Sequence, residues 1–294
     1  MISLLLSDSD YRKVYKRSDI IYYMIKKEDI SPLTVSSEIV KRGIKAVEHI
    51  DLSPELRSHY FIVGGTAVQS YLPSQFHRPT ADIDVWLLYP ISNKTEFVTR
   101  IAPCVEYLQD EGYQTSIQKK SRNFSIGVAK DNEDPAFYIE FSRRNLDKYK
   151  EVEARLIRER RNIRQKKVDD AILRVAAPED IAIPKLVRGV GTLSRRSHMR
   201  EIITRKYSSQ LPLQQLLYDA IQARASLGDG VFEDSRIQSD LYDITSLNQF
   251  VGYNKDYFEQ ASLEWTRARE SSGWNFLCNL LSLPCPNNPK QLSQ

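Results

Sequence analysis

The sequence predicts an α/β domain followed by a helical C-terminal domain. Short apolar runs alternate with helical patterns in residues 59–177, whereas only helical patterns follow Pro178. The 294-residue chain is 41% hydrophobic and 27% charged, which is typical of a globular protein large enough to bury a core. We therefore expect a first domain over residues 1–177, with helices at its N-terminus, and a second over residues 178–294.

The predicted elements follow from apolar spacing and from turn residues. Apolar residues recur at helical spacing from Thr34 to Ile50, and Leu52 to Glu55 is typical of a second helix start. Beyond Pro178, breaks at Gly189–Gly191 and Gly228–Gly230 are expected to separate the helices, and a Pro-rich tail follows Leu283. The remaining predictions are strands at His59–Val63, Asp82–Tyr89, Phe124–Val128, Ala136–Phe141 and Ala171–Val175, and helices at Thr66–Leu72 and Lys94–Glu111.

The apolar runs and the cysteines favour a cytoplasmic location. No apolar run approaches the ~20 residues that a membrane span needs. The opening Met1–Leu6 is too short for the core of a signal peptide, and acidic residues follow it. Cys104, Cys278 and Cys285 fit neither a disulfide framework nor a zinc site. We therefore expect a reducing compartment and no membrane.

Basic residues cluster in one stretch of a chain whose net charge is only +4. Residues 143–167 contain eleven Lys and Arg against four Asp and Glu. Such a cluster is typical of a surface that binds RNA or another nucleic acid. A solvated amphipathic helix, with Val152, Leu156 and Ile163 facing inward, explains the same pattern. The two interpretations remain open at this point.

Asp82 and Asp84 open a predicted strand and form the first candidate site. Residues i and i+2 of a strand point to the same face, roughly 6.6–7 Å apart along the backbone. Two neighbouring carboxylates repel each other unless a positive charge lies between them. A divalent metal ion is the usual solution, although an isolated Asp-x-Asp is also common at surface turns.

The preceding turn, Gly64-Gly65-Thr66, gives this acidic pair a chemical context. Glycine allows the backbone to turn tightly and to approach a ligand closely. The N–H groups at the start of the following helix attract phosphate oxygens, and Thr66 adds a hydroxyl. A Gly-Gly turn that serves packing alone is the alternative.

Glu140 is the third candidate acid, because it lies in the otherwise apolar Tyr138–Phe141. A charged residue in such a strand must be paired, exposed or bound to a metal. Three carboxylates on neighbouring strands form a two-metal centre suited to in-line attack on phosphorus. A salt bridge to a nearby arginine is the alternative.

These motifs resemble those of the AbiEii/MenT-type nucleotidyltransferases, toxins of bacterial toxin–antitoxin systems in the DNA polymerase β-like superfamily. The resemblance lies in Gly64–Val68, in Arg78–Asp84 and in the later acid Glu140. It also includes Lys185, which follows Pro178-Glu179-Asp180 as the family's lysine follows a similar element. The nearest match to the family's R-x-x-x-D-x-x-D helix is Arg236, Asp240 and Asp243.

Two departures affect the later part of this resemblance. The segment from Arg188 to Asp234 is longer than the family's spacer, so Asp240 and Asp243 are weaker matches than Lys185. Pro184 directly precedes Lys185, removes an N–H and is expected to bend the helix.

The resemblance implies a polymerase β-like mixed sheet and transfer of a nucleoside monophosphate from an NTP to an acceptor hydroxyl. Asp82, Asp84 and Glu140 would bind Mg²⁺ or Mn²⁺. Gly64, Gly65 and Thr66 would cradle phosphates, and Lys185 and Arg78 would neutralise the leaving pyrophosphate. Members of the family can modify the 3′ end of tRNA, so the resemblance implies tRNA as an acceptor that residues 143–167 would bind, and a cognate antitoxin. Protein and small-molecule hydroxyls are the alternative acceptors. A non-catalytic nucleotide- or RNA-binding protein on a degenerate transferase fold is the alternative.

Overall fold

The computed structural model divides into two compact units, and the boundary along the chain lies between Ala177 and Pro178. The first unit contains a mixed β-sheet with helices, and the described part of the second is helical. The predicted α/β fold class, with helices following it, is therefore confirmed. The described residues are 34–35, 37–50, 60–80, 82–87, 93–120, 123–130, 137–142, 163–168, 170–196, 198–207, 213–225 and 232–285.

A seven-stranded sheet forms the centre of the described part of the first unit. Its strand order is β3-β4-β5-β2-β1-β7-β6. The central pair β2–β5 and the pair β1–β7 are parallel, and the other neighbours are antiparallel. The strands are β1 Tyr60–Val63, β2 Asp82–Leu87, β3 Tyr113–Lys120, β4 Asn123–Lys130, β5 Phe137–Ser142, β6 Arg164–Val168 and β7 Ala171–Val175.

Two of the three α-helices described in this unit, the first and the third, cover the apolar face of the sheet. Helix α1 spans Glu38–Glu48 and buries Val40, Ile44 and Val47, which share one helical face. It approaches the sheet so closely that a methyl group at Gly43 would lie 3.0 Å from Ile83. A short helix α2, Gly64–Gln69, leaves β1.

The longer helix α3, Lys94–Asp110, begins at Asn93, whose side chain accepts a hydrogen bond from the N–H of Glu96. Its Phe97 stacks on Phe124 of β4, with 4.5 Å between the ring centroids. The apolar side chains of β4 and β5 thus pack on one face of the sheet, whereas the opposite face carries the polar residues of these strands together with the buried Phe61 and Trp86.

Two long helices, α4 Pro178–Arg195 and α7 Phe232–Phe250, pack against each other in the second unit. Gly189 of α4 is buried, and a methyl group there would lie 3.0 Å from Leu277. The other helices are α5 His198–Lys206, α6 Leu213–Ala225, α8 Lys255–Ser262, α9 Thr266–Arg269 and α10 Ser272–Leu280.

Several predicted elements have different bounds or a different form. The helix after β1 begins at Gly64 rather than Thr66 and ends at Gln69. The expected break at Gly189–Gly191 is wrong, because α4 continues through these residues and through Pro184. Strands β3 and β6 were not predicted. The helix start at Leu52–Glu55, the break at Gly228–Gly230 and the tail after Cys285 lie outside the described residues.

No described helix has an apolar stretch long enough to cross a lipid bilayer.

The cysteines differ from the expectation that they form no disulfide, because Cys278 is bonded to Cys285. The expectation failed because the chain turns back after α10. Ser282 adopts a left-handed backbone, with φ of 49°, and the N–H of Leu283 donates to the carbonyl oxygen of Cys278 at 2.9 Å. Cys104 is a free, buried thiol.

Thiol titration is expected to distinguish these two kinds of cysteine. Burial raises the pKa of the Cys104 thiol to about 12, so almost no reactive thiolate forms near neutral pH. We expect no thiol to react with Ellman's reagent in the native protein and one, Cys104, to react after unfolding without reductant. Reduction should then raise the total to the three cysteines of the sequence. Three reactive thiols in unfolded, unreduced protein would contradict the disulfide.

Candidate active site

Three carboxylates converge on the polar face of the sheet. Asp82 and Asp84 are two residues apart on β2, and Asp84 lies directly opposite Glu140 on the parallel strand β5. One carboxylate oxygen from each residue lies within 4.8 Å of the others, and all three residues are half-buried. Oxygen ligands at this spacing fit a divalent cation, which prefers carboxylates. The described residues thus contain an acidic group that can bind a metal ion.

The Gly64 turn lies directly against this acidic group. Gly64 has a φ of 70°, a left-handed conformation that favours glycine. A methyl group added there would lie 1.8 Å from Oδ2 of Asp84 and 2.8 Å from its Cγ. The absence of a side chain at Gly64 therefore leaves room for the Asp84 carboxylate.

The backbone of Asp82 is fixed by two buried threonines. The hydroxyl of Thr66 donates to the carbonyl oxygen of Asp82 at 2.9 Å, and that of Thr80 donates to the same oxygen at 3.1 Å. Both threonines are buried, at 0% and 2% exposure. Both hydroxyls therefore fix the start of the strand that carries the acidic pair. The role predicted for Thr66 at the nucleotide phosphates stays a prediction.

Arg78 is buried beside the second glycine of the turn. A methyl group at Gly65 would lie 3.1 Å from Nη2 of Arg78 and 3.2 Å from the hydroxyl of Thr80. Nη1 of Arg78 donates to the carbonyl oxygen of Pro79 at 3.0 Å. The guanidinium thus lies close to the Gly-Gly turn, as a residue that neutralises phosphate would.

Lys185 lies in a buried charged cluster within the second unit. Its Nζ donates to Oδ2 of Asp243 at 2.8 Å and lies 3.5 Å from Asp240. Arg188, one turn along α4, holds Asp240 through two hydrogen bonds, of 2.7 and 3.1 Å. The side chains of Lys185, Asp240 and Asp243 are at most 5% exposed.

The R-x-x-x-D-x-x-D match therefore contributes both of its acids to one ion-pair cluster with Lys185. Its first residue, Arg236, is exposed on α7. The role predicted for Lys185 at the nucleotide phosphates stays a prediction.

The acids of the Pro178-Glu179-Asp180 element have structural partners. Glu179 accepts a hydrogen bond of 2.6 Å from the N–H of Asn254, the residue that caps helix α8. Asp180 accepts one of 2.7 Å from the hydroxyl of Tyr257. Burial raises the pKa of the neighbouring Tyr253, and the negative charges of Glu179 and Asp243 raise it further. This element therefore anchors α8 to α4.

The basic stretch is described only at its end, because residues 143–162 lie outside the described residues. Arg164–Lys167 belong to β6, an edge strand, so the amphipathic-helix interpretation is wrong for this part. Nζ of Lys166 lies 4.3 Å above the ring of Tyr71. Burial, together with the charge of Arg164, lowers the pKa of Lys166.

The geometry also identifies residues that the sequence did not single out. Thr80 lies inside the Arg78–Asp84 motif but was given no role, and Arg188 has no motif signal of its own although it lies one turn from Lys185. Ser125 of β4 lies opposite Glu140 and is buried. Only the strand register connects Ser125 to the site, and register is not visible in a sequence read alone.

Two solved structures show a distant likeness to the chain, whereas neither a protein-family model nor a curated protein matches it by sequence. The first is a nucleotidyltransferase-like antigenic protein from Paracoccidioides brasiliensis, with a TM-score of 0.40 and 12% identity, covering 86% of this chain and 95% of that one. The second is the nucleotidyltransferase toxin MenT4 from Mycobacterium tuberculosis, with a TM-score of 0.33 and 13% identity, covering 94% and 99%. Both TM-scores lie below 0.5, so the function proposed below depends on the geometry of the site.

Proposed function

We propose that the protein is a metal-dependent nucleotidyltransferase that moves a nucleoside monophosphate from an NTP to an acceptor hydroxyl. The observation that carries this proposal is the convergence of Asp82, Asp84 and Glu140 beside the Gly64 turn. Phosphoryl transfer depends mainly on positioning and on neutralising charge. Three carboxylates that can hold a divalent cation, next to an open backbone turn, suit both needs.

The donor set fits a hard divalent cation, Mg²⁺ or Mn²⁺, held by Asp82, Asp84 and Glu140. Bound there, the ion would neutralise the triphosphate and favour in-line displacement at the α-phosphorus. The acceptor oxygen forms a bond to the α-phosphorus, while the bond to the bridging oxygen of the β-phosphate breaks and pyrophosphate leaves. Glu140 helps to activate the acceptor hydroxyl, whose proton is lost to Glu140 or to solvent.

The neighbouring residues keep these carboxylates in place. Thr66 and Thr80 fix the Asp82 backbone, and Gly64 leaves the space that Asp84 occupies. The Gly64–Gly65 backbone is proposed to approach the phosphates, with Arg78 supplying positive charge beside it. Pre-organisation of this kind reduces the rearrangement needed during the reaction.

We further propose tRNA as the acceptor, a toxin-like role with a cognate antitoxin, and a cytoplasmic location. The cysteines no longer support that location, because Cys278 is bonded to Cys285. Support comes from the motif resemblance and from the basic residues 143–167. Lys and Arg contacts to phosphate release counterions, so tRNA binding should weaken steeply as salt rises. An affinity for tRNA that stays flat with salt would contradict this acceptor.

The test is a transfer assay with each labelled NTP, Mg²⁺ and total tRNA. Label should enter the RNA with the wild type and with Asp110→Ala, an exposed carboxylate at the end of α3. It should be lost with Asp82→Ala. Transfer by Asp82→Ala at the wild-type rate would refute the proposed site. Nucleotide binding without transfer to RNA, protein or small-molecule hydroxyls would instead identify a non-catalytic binder.

A further inference from the structure

Ser125 of β4 has a buried hydroxyl that makes no hydrogen bond within the part of the chain that the structure describes. The residue is 1% exposed, and its Oγ has no donor or acceptor in reach. Buried polar groups are nearly always hydrogen-bonded, because an unsatisfied one destabilises the fold. A hydrogen bond that forms only when a metal ion is bound would explain this hydroxyl.

The strand register places Ser125 beside the acidic group. Ser125 lies directly opposite Glu140 in the antiparallel pair β4–β5, and Glu140 lies opposite Asp84 in the pair β5–β2. Residues that face each other across neighbouring strands project from the same face of the sheet, with Cβ atoms about 5 Å apart in antiparallel pairs. The adjacent Phe124 and Ile126 are buried and project to the opposite face. Ser125 is thus the polar neighbour of Glu140 on the metal-binding face.

We propose that Ser125 is a positioning residue whose hydroxyl donates a hydrogen bond to the Glu140 carboxylate when the metal ion is bound. The inference rests on the proposed function, since it requires a metal ion at Glu140. Carboxylates that bind metals are usually held by hydrogen bonds from a second set of residues, which fix their orientation. A serine hydroxyl opposite Glu140 can do this without adding a charge to the site.

Mn²⁺ binding by the full-length protein tests the proposal without an activity assay. Calorimetry or electron paramagnetic resonance should show that Ser125→Ala binds Mn²⁺ about tenfold more weakly than the wild type. Ser125→Thr keeps the hydroxyl and should bind close to wild-type strength. Ser262→Ala removes another buried serine hydroxyl, one that donates to Glu259 in α8, and should leave Mn²⁺ binding unchanged.

Thermal unfolding in EDTA separates positioning from a purely structural role. Without metal, Ser125→Ala should be at least as stable as the wild type, because it removes an unsatisfied buried hydroxyl. Wild-type Mn²⁺ affinity in Ser125→Ala would overturn the inference and leave the proposed function intact. A clear loss of stability of Ser125→Ala in EDTA, together with weaker Mn²⁺ binding, would also overturn the inference, because the role of Ser125 would then be structural. A wild-type protein that binds no Mn²⁺ would overturn both.

Discussion

Replacing Gly64 with alanine is expected to abolish the proposed transfer and to weaken Mn²⁺ binding strongly. The new methyl group would lie 1.8 Å from Oδ2 of Asp84, so that carboxylate must rotate away from Asp82 and Glu140. Displacing a reacting group by about 1 Å can cost on the order of 100-fold in rate, and the clash here demands a movement of that size. We expect a loss of at least that factor, measured as label transferred per minute under saturating NTP.

Alanine at position 64 also strains the left-handed backbone there. Gly112→Ala measures the effect of such backbone strain alone. Gly112 has a φ of 82°, close to the 70° of Gly64, but a methyl group there would meet nothing within 4 Å. Each substitution should lower the free energy of unfolding by about 1–2 kcal/mol. Only Gly64→Ala should lose activity and Mn²⁺ affinity. Equal losses in the two variants would show that backbone strain, not displacement of Asp84, is the cause.

Replacing Asp243 with alanine is expected to be the most destabilising single change in the second unit. Asp243 is fully buried and receives the hydrogen bond from Lys185, whose side chain is 5% exposed. Asp240 lies farther from Lys185 and is already held by Arg188. Removing one partner of a buried ion pair leaves an uncompensated charge, which costs about 3–5 kcal/mol. Urea unfolding of the full chain, followed by tryptophan fluorescence, measures this loss.

Two further variants show whether the loss of stability in Asp243→Ala comes from the uncompensated charge of Lys185. Lys185→Met combined with Asp243→Leu replaces the pair by apolar side chains and should recover much of the stability. Glu201→Ala breaks an exposed pair with Arg205 on α5 and should produce no measurable change. If Asp243→Ala unfolds at the wild-type urea concentration, the cluster does not stabilise the unit.

The sequence pointed to the three acids that converge in the structure because most of their signals are local. Asp82, Asp84 and the Gly64 turn lie within a short segment, where strand periodicity and glycine chemistry are informative. Glu140 stood out because a charge in an apolar strand needs a partner. The convergence of the three residues still depended on the pairing of β2 with β5, strands that are not consecutive.

The features that the sequence did not predict depend on contacts between distant segments. Strand β3 has the sequence YQTSIQKK, which offers too few apolar residues for a strand signal, because it lies at the sheet edge. Gly189 was interpreted as a helix break, but it is buried against Leu277 and allows close packing. The partners of Lys185 are 55 and 58 residues away, on α7. The bond between Cys278 and Cys285 depends on a turn whose left-handed residue is a serine, not a glycine.

The alignment of Asp84 with Glu140 has a consequence for folding as well as for chemistry. If β5 shifted by one residue against β2, Glu140 would project into the apolar face covered by α1 and α3. Ile139 and Phe141 would then point toward the face that carries Asp82 and Asp84. Burying an unpaired carboxylate among Ile83 and Phe124 is far more costly than any packing gained. The acid proposed for the reaction therefore also selects the correct strand pairing while the chain folds.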